Sequence, residues 1–292
     1  MTRRVAVILN PAAGGGRAGA RFGAFLPALQ ALGEVVVCRT EAPGHAVELT
    51  REVEATDVVA VGGDGTLHEV VNGLMAREER PALGLLPLGT GNSFGRDLGL
   101  TTPERCLAAI RLARTRAVDV VRAEHADGVL HSINLVSIGF SAEAGALTNR
   151  RFKSLGAAGY ICAVLITLAR LKHPTFRVRL DGGPWDARPC ALLSFSNSQY
   201  TGGDMRMAPA ADPTDGRVDV IRVGALSRPR FLATFPKIFA GTHVAAADIE
   251  ATTARSVELD LATAVDVMID GEVVALQLTR LDVLPGAVEV LA

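Results

Sequence analysis

Three short apolar runs in the first third of the chain each stop at a glycine-rich turn, and each turn leads into a helical pattern. Arg4–Leu9 runs into Asn10-Pro11-Ala12-Ala13-Gly14-Gly15-Gly16, Asp57–Val61 into Gly62-Gly63-Asp64-Gly65-Thr66, and Ala82–Pro87 into Leu88-Gly89-Thr90-Gly91-Asn92-Ser93. Strands that alternate with helices form a parallel sheet covered by helices on its faces. The turns at the strand ends then collect on the carboxyl edge, where open α/β sheets bind ligands. The rest of the region fits this pattern, with helices expected over Ala18–Leu32, His45–Val53, Leu67–Glu78, Phe94–Leu98 and Pro103–Arg114, and a further strand over Glu34–Cys38.

From about Asp119 the texture changes to longer strand-like runs separated by turn signals. These are Val118–Ala123, Leu130–Ile138, Phe176–Leu180, Ala191–Ser196, Arg217–Val223, Val257–Leu261, Val265–Ile269, Val273–Arg280 and Val288–Leu291, a mainly antiparallel β pattern. With 292 residues the chain is long enough for two domains, since single cores stop growing at about 250–300 residues. The net charge of -1 and the lack of a long Lys/Arg run argue against nucleic-acid binding. Four dispersed cysteines with no CxxC pair suggest neither a zinc site nor a disulfide framework, and the N-terminus lacks the apolar region of a signal peptide. A cytoplasmic protein is expected. Ser154–Leu171 carries Arg170 as its only charge and touches the lower length of a membrane-spanning helix, about 17–25 residues. Gly156, Gly159 and the missing flanks favour a buried or interdomain helix instead.

The turns carry the chemistry. Glycines let backbone N–H groups approach an anion, and a helix N-terminus just beyond adds the positive end of a dipole, so Asn10–Gly16 reads as a phosphate loop. Gly14, Gly16 and Gly19 also satisfy a literal G-x-G-x-x-G, but the second strand ends in Cys38-Arg39-Thr40 without the ribose-binding acid of a dinucleotide fold. In Gly62–Thr66 a carboxylate, Asp64, sits among glycines, which suits a polyphosphate and its Mg²⁺. Thr66 and Glu69 fit a capping box at the start of the next helix. Asp270-Gly271 before Glu272 reads as a two-residue hairpin turn, and Asp212–Arg217 reads as another turn.

With these motifs together the sequence resembles the diacylglycerol kinase catalytic-domain family, bacterial soluble lipid kinase type, over essentially the whole chain. Thr40 with Gly44-His45-Ala46, Asn134 with Gly139-Phe140, Gly202-Gly203 before Ala208-Pro209, Asp215-Gly216 and Asp270-Gly271-Glu272 extend the match. The resemblance implies α/β plus all-β architecture: an N-terminal three-layer α/β nucleotide-binding domain of the NAD kinase and phosphofructokinase type, and a C-terminal β-sandwich for the lipid. Residues 1–121, joined by 282–292, would form the first, and residues 122–281 the second, with ATP in the cleft between them.

Carried over by position, Asn10, Pro11, Gly14, Gly15, Thr40, Gly62, Gly63, Asp64, Gly65, Thr66, Glu69, Gly89, Thr90 and Asn92 are the expected ATP site. Asp64 and Glu272 are the expected catalytic pair, Glu272 as the general base for the lipid hydroxyl. A structural Mg²⁺ is expected on the Asp215 carboxylate and the carbonyls of Asp212 and Arg217, and Asp119 corresponds to a further acid of the active-site network. Many bacterial members carry an acid where this chain has Ser93, and Asp97 is the candidate to reach the same face. The implied reaction is transfer of the γ-phosphoryl group of ATP to diacylglycerol. A sphingoid-base or other lipid-alcohol kinase is the alternative acceptor class, and a catalytically inactive nucleotide- or lipid-binding regulator the alternative of another kind.

A lipid kinase also implies transient association with the inner face of the membrane, and a homodimer is an open option. Phe231, Phe235 and Phe239 recur at helical spacing in Arg228–Gly241 beside Arg228, Arg230 and Lys237, which fits either a core stripe or a membrane-lying face. Arg150, Arg151 and Lys153 form a second basic candidate.

Overall fold

In a computed structural model, which describes residues 3–152 and 156–292, the chain divides into two compact units. One comprises Met1–Val120 with Leu284–Ala292, the other Val121–Val283.

In the first unit β1 (Arg4–Leu9), β2 (Glu34–Arg39), β3 (Asp57–Gly62) and β4 (Ala82–Pro87) lie parallel in the order β2-β1-β3-β4. The end of β18 (Leu278–Leu291) adds to β4 through Val290 opposite Leu83. All six residues of β3 are buried, as are Val5–Leu9 of β1, which is how parallel strands covered on both faces read. One face packs Val5, Val7, Leu9, Val59, Val61 and Leu86 against Phe22, Leu29 and Ile110. The turn α1 (Ala13–Gly16) leads to α2 (Ala18–Phe22) and α3 (Leu26–Gln30), where the sequence pattern predicts one helix over Ala18–Leu32. Pro27 explains the break. It sits in the first turn of α3, where its missing N–H is harmless, whereas inside one continuous helix it would clash with the preceding turn.

Three more helices complete this unit: α4 (His45–Glu52), α5 (Asp64–Met75) and α6 (Pro103–Leu112). The hydroxyl of Thr102 accepts from Arg105 N at the start of α6. The helix expected over Phe94–Leu98 is a single 3₁₀ turn, Phe94–Arg96. At Gly73, α5 comes so close to α4 that a Cβ would lie 2.6 Å from Thr50 Cβ and 2.7 Å from Val47 O.

In the second unit β5 (Thr115–His125) pairs with β6 (Gly128–Ser132) and with β18. Next come β7 (Leu135–Gly139), β8 (Arg177–Leu180), β9 (Trp185–Asp186) and β10 (Cys190–Ser196), then a small hairpin, β11 (Tyr200–Thr201) with β12 (Met205–Arg206). The remaining strands are β13 (Val218–Gly224), β14 (Ile249–Ala254), β15 (Ser256–Asp260), β16 (Val265–Ile269) and β17 (Glu272–Leu276). An antiparallel six-stranded sheet runs β14-β13-β10-β7-β16-β17, and β18, β15, β8 and β9 pair in that order in the other layer. Alternate residues Val136, Ile138, Leu193, Phe195, Val218 and Val220 share one core with Val178, Val257, Leu259, Leu278 and Leu281. That interleaving makes it a β-sandwich.

On the other face of the six-stranded sheet α7 (Phe140–Leu147), α8 (Gly156–Ala169) and α9 (Arg228–Thr234) bury Phe140, Leu168 and Phe231 against Leu192, Ile221 and Val223. No helix among the described residues is long and apolar enough to cross a membrane. The expected membrane-or-core stripe divides: Phe231 is buried, Phe235 partly buried and Phe239 exposed, because α9 gives way to a 3₁₀ turn at Phe235-Pro236. Arg150 pairs with Asp266 at 3.0 Å, whereas Lys153 and residues 154–155 lie outside the described residues.

The expected strand Leu130–Ile138 is interrupted at Ile133-Asn134, and Val273–Arg280 at Gln277, whose amide donates to Leu261 O. β14 has no counterpart among the strands read from sequence. It is an edge strand whose four middle residues are exposed, so it lacks the apolar alternation that marks a half-buried strand.

Replacing Gly73 by valine is expected to cost about 1–3 kcal/mol by overpacking the α4–α5 crossing. Thermal denaturation checks this, and an unchanged Tm would show that the crossing has slack.

Candidate active-site elements

The three glycine turns of the first unit interlock backbone to backbone. A Cβ on Gly89 would lie 2.3 Å from Gly63 Cα, one on Gly14 2.5 Å from Leu88 O, and one on Gly62 2.3 Å from Thr66 Oγ1. Leu88 N and Gly89 N both donate to Gly62 O, at 3.0 and 2.8 Å. Asn10 links the first turn to the second: its Nδ2 donates to Thr66 Oγ1 at 3.1 Å while its Oδ1 accepts from Ala12 N at 3.0 Å. Thr40 donates its N–H to Leu9 O, the residue before Asn10, at 2.9 Å. Gly14, Gly15 and Gly16 are all left-handed, with φ of 60°, 68° and 80°, and Cβ atoms on the last two would meet nothing within 4 Å. Their backbone therefore faces open space in a conformation that favours glycine.

Asp64 opens α5 with Gly63 as its N-cap. Its Oδ1 accepts from Ser93 N at 2.7 Å and its Oδ2 from Ser93 Oγ at 3.3 Å, which fixes the carboxylate at the positive end of the helix. Asn92, left-handed at φ 52°, donates its side chain to Gly89 O at 2.9 Å and closes the third turn, whereas Thr90 is exposed. Ser93 thus occupies the position where an acid is expected in relatives, and it serves Asp64 as a buried neutral donor. Asp97 donates its N–H to Phe94 O and caps the 3₁₀ turn.

The capping box is a misreading that the structure corrects. The helix begins at Asp64, so Thr66 is its third residue and points to Asn10. Glu69 instead caps the neighbouring helix: its two oxygens accept from Gly44 N at 2.9 Å and Ala46 N at 3.0 Å at the start of α4. Asp119 is buried and accepts from Gly286 N at 2.8 Å, which ties the returning β18 to β5.

In the second unit Asp270 and Gly271, at φ 51° and 95°, form the two-residue turn joining β16 to β17, and Glu272 is the exposed first residue of β17, paired with Ile269. The Asp270 side chain, far from idling in the turn, is buried and accepts hydrogen bonds from the β6–β7 junction. Nothing in the local sequence announces this, because its partners lie more than 130 residues earlier.

The Asp212–Arg217 turn is built by its own acids. Asp212 Oδ1 accepts from Thr214 N at 3.0 Å and Thr214 Oγ1 at 2.7 Å, Asp212 O accepts from Asp215 N at 3.3 Å, and Asp215 Oδ1 accepts from Arg217 N at 2.9 Å. Burial, with the nearby Asp215 charge adding to it, pushes the Asp219 carboxyl up to about 6. Among the described residues no three His, Cys, Asp or Glu side chains cluster as a metal site. The turn nevertheless offers oxygen donors beside crowded negative charge, which is chemistry that a hard dication fits.

The diacylglycerol kinase catalytic domain family matches residues 4–123, and the YegS C-terminal NAD kinase beta sandwich-like domain matches residues 134–292. The chain belongs to the diacylglycerol kinase and YegS-type lipid kinase family. This lipid kinase is 31% identical over 242 residues to the diacylglycerol kinase of Mycobacterium tuberculosis, covering 82% of this chain and 77% of that protein. It is 32% identical over 240 residues to a Stenotrophomonas maltophilia protein named "Probable lipid kinase YegS-like", covering 79% and 77%. A solved structure of a candidate diacylglycerol kinase from Bacillus anthracis superposes with a TM-score of 0.84 at 25% identity, over 99% of this kinase and 95% of that chain. The chain is therefore an enzyme of the lipid kinase class with an α/β unit and a β-sandwich, as its sequence implied.

Asp219 carries a pH signature. Its folded value of about 6 lies above the ordinary 3.8, so its contribution is fully present when protonated and is lost as pH rises from about 4 through about 6. Asp219→Asn is expected to flatten that part of the Tm–pH curve of the lipid kinase, and a variant curve parallel to wild type would refute the assignment.

Proposed function

We propose that the kinase transfers the γ-phosphoryl group of Mg-ATP to the hydroxyl of diacylglycerol, giving phosphatidic acid. The observation that carries the nucleotide half is the interlocked glycine edge with Asp64 held at the mouth of α5. Bare backbone at Gly14, Gly15, Gly62, Gly63, Gly65 and Gly89 would lie along the phosphates, with Asn10, Pro11, Thr40, Thr66, Thr90 and Asn92 shaping the turns and offering polar contacts. Glu69 belongs to this group as a support, since it fixes the Gly44 turn. The Mg²⁺, when bound, neutralises charge on the transferring phosphoryl group, and Asp64 is the carboxylate that would hold it or its waters. A second, structural Mg²⁺ would take the Asp215 carboxylate with the carbonyls of Asp212 and Arg217.

Glu272 is the proposed general base. A lipid alcohol is a weak nucleophile, and an exposed carboxylate on a two-residue hairpin can accept its proton as phosphoryl transfer proceeds. In this reading residues 1–121 with 282–292 handle the nucleotide and residues 122–281 the lipid. The lipid is met at the inner face of the membrane by a cytoplasmic enzyme. Exposed Leu232 and Phe239 beside Arg228, Arg230 and Lys237 support peripheral contact there.

The test is the purified protein with labelled ATP, Mg²⁺ and a panel of diacylglycerol, sphingoid base, other lipid alcohols and NAD. Label is expected in phosphatidic acid, with Glu272→Ala slower by about 10²–10⁴-fold. Label in NAD and in no lipid would overturn the acceptor class, and undiminished transfer by Glu272→Ala would remove Glu272 as the base.

A further inference from the structure

We propose that Asp270 is a positioning residue for phosphoryl transfer, holding the backbone of Glu272 in register through a buried carboxylate clamp on the β6–β7 junction. The inference rests on the reading of Glu272 as the base. Asp270 is 2% exposed, and a buried carboxylate is costly unless its oxygens are hydrogen-bonded. Oδ1 accepts from Ser132 Oγ at 2.6 Å, Asn134 N at 2.9 Å and Leu135 N at 3.1 Å, and Oδ2 accepts from Ile133 N at 3.1 Å. Three successive backbone N–H groups thus converge on one side chain. The Asp270 N–H in turn donates to Leu135 O at 2.9 Å, so turn and junction exchange bonds in both directions.

The junction is pinned from its other side as well. Asn197 Nδ2 donates to Ile133 O at 2.8 Å, Asn197 N and Ser198 N donate to Asn134 O at 2.8 and 3.1 Å, and the Ser198 hydroxyl meets Asn134 Oδ1. The clamp therefore connects the hairpin tip to the ends of β6, β7 and β10.

Turn geometry does not demand this. Positive φ at both central residues is met by Asn-Gly as readily as by Asp-Gly. An asparagine would give the same turn but would put an amide nitrogen donor among N–H donors. The clamp accounts for the carboxylate, and the base on the next strand accounts for the clamp. Glu272 lies two residues beyond Asp270, on β17, the edge strand of its sheet, where β16 is the one strand that pairs with it. Anchoring Asp270 in the sheet interior transfers the rigidity of β7 to that edge. Misplacing a catalytic group by about 1 Å costs on the order of 10²-fold, so such anchoring has kinetic weight.

The experiment compares Asp270→Asn, Glu272→Gln and the double variant in lipid phosphorylation, with folding followed by Tm and the amides of Ile133, Asn134 and Leu135 by hydrogen exchange. Expected for folded Asp270→Asn are faster exchange at those three amides, kcat lower by roughly 10–100-fold and an unchanged KM for ATP. The double variant should be no slower than Glu272→Gln. If Glu272→Gln is fully active, the base reading fails and the positioning role fails with it. If Glu272→Gln is impaired while folded Asp270→Asn keeps its kcat, or the two losses multiply, the positioning role alone is overturned. Should Asp270→Asn not fold, Ser132→Ala removes one donor of the clamp: a several-fold fall in kcat at constant ATP KM supports the role, and an unchanged kcat overturns it.

Discussion

The carboxyl edge of the parallel sheet depends on a contact that side chains would forbid. Gly63 and Gly89 bring two turns together at a spacing where a single Cβ would overlap a backbone atom, and Gly14 brings the third turn against Leu88 O. Everything built on that contact depends on it. Asn10 can reach Thr66, and Ser93 can reach Asp64, because the turns that carry them share one packed floor. Glycine here gives more than conformational freedom: it allows three loops to behave as one rigid surface.

How much of this was legible in sequence depends on how far each residue reaches. β1, β3 and β4 were plain as unbroken apolar runs, and their glycine turns fell where the strands ended. Local grammar failed wherever a side chain spoke to a distant partner. Thr66 and Glu69 have the spacing of a cap, yet each serves another element, 56 residues away in one case and 25 and 23 in the other. The apolar stretch Leu130–Ile138 looked like one strand, and its interruption comes from a carboxylate that no local pattern could supply. The break at Gly23, by contrast, was written in Pro27 and could have been read.

The carboxylates of the chain divide by what satisfies them. Asp64 and Asp270 accept hydrogen bonds from backbone N–H groups and serine hydroxyls, which are neutral donors. Asp186 is held by Arg188 and lies well below the usual carboxylate range, at about 2, in a surface network with Glu250. Pairing with arginine cancels charge, whereas clamping by amides stores it.

The course of β18 has a consequence for the order of events on the ribosome. The strand that completes the first sheet beside β4 comes from residues after Val283, so the intervening 121–283 must be made before the sheet can close. At about 5–20 residues per second that is a delay on the order of ten to thirty seconds. Throughout it Leu83, later covered through Val290, lies on an open strand edge, a template for pairing with other chains. The nascent first unit of this kinase thus needs protection at that edge while its second unit is still being synthesised.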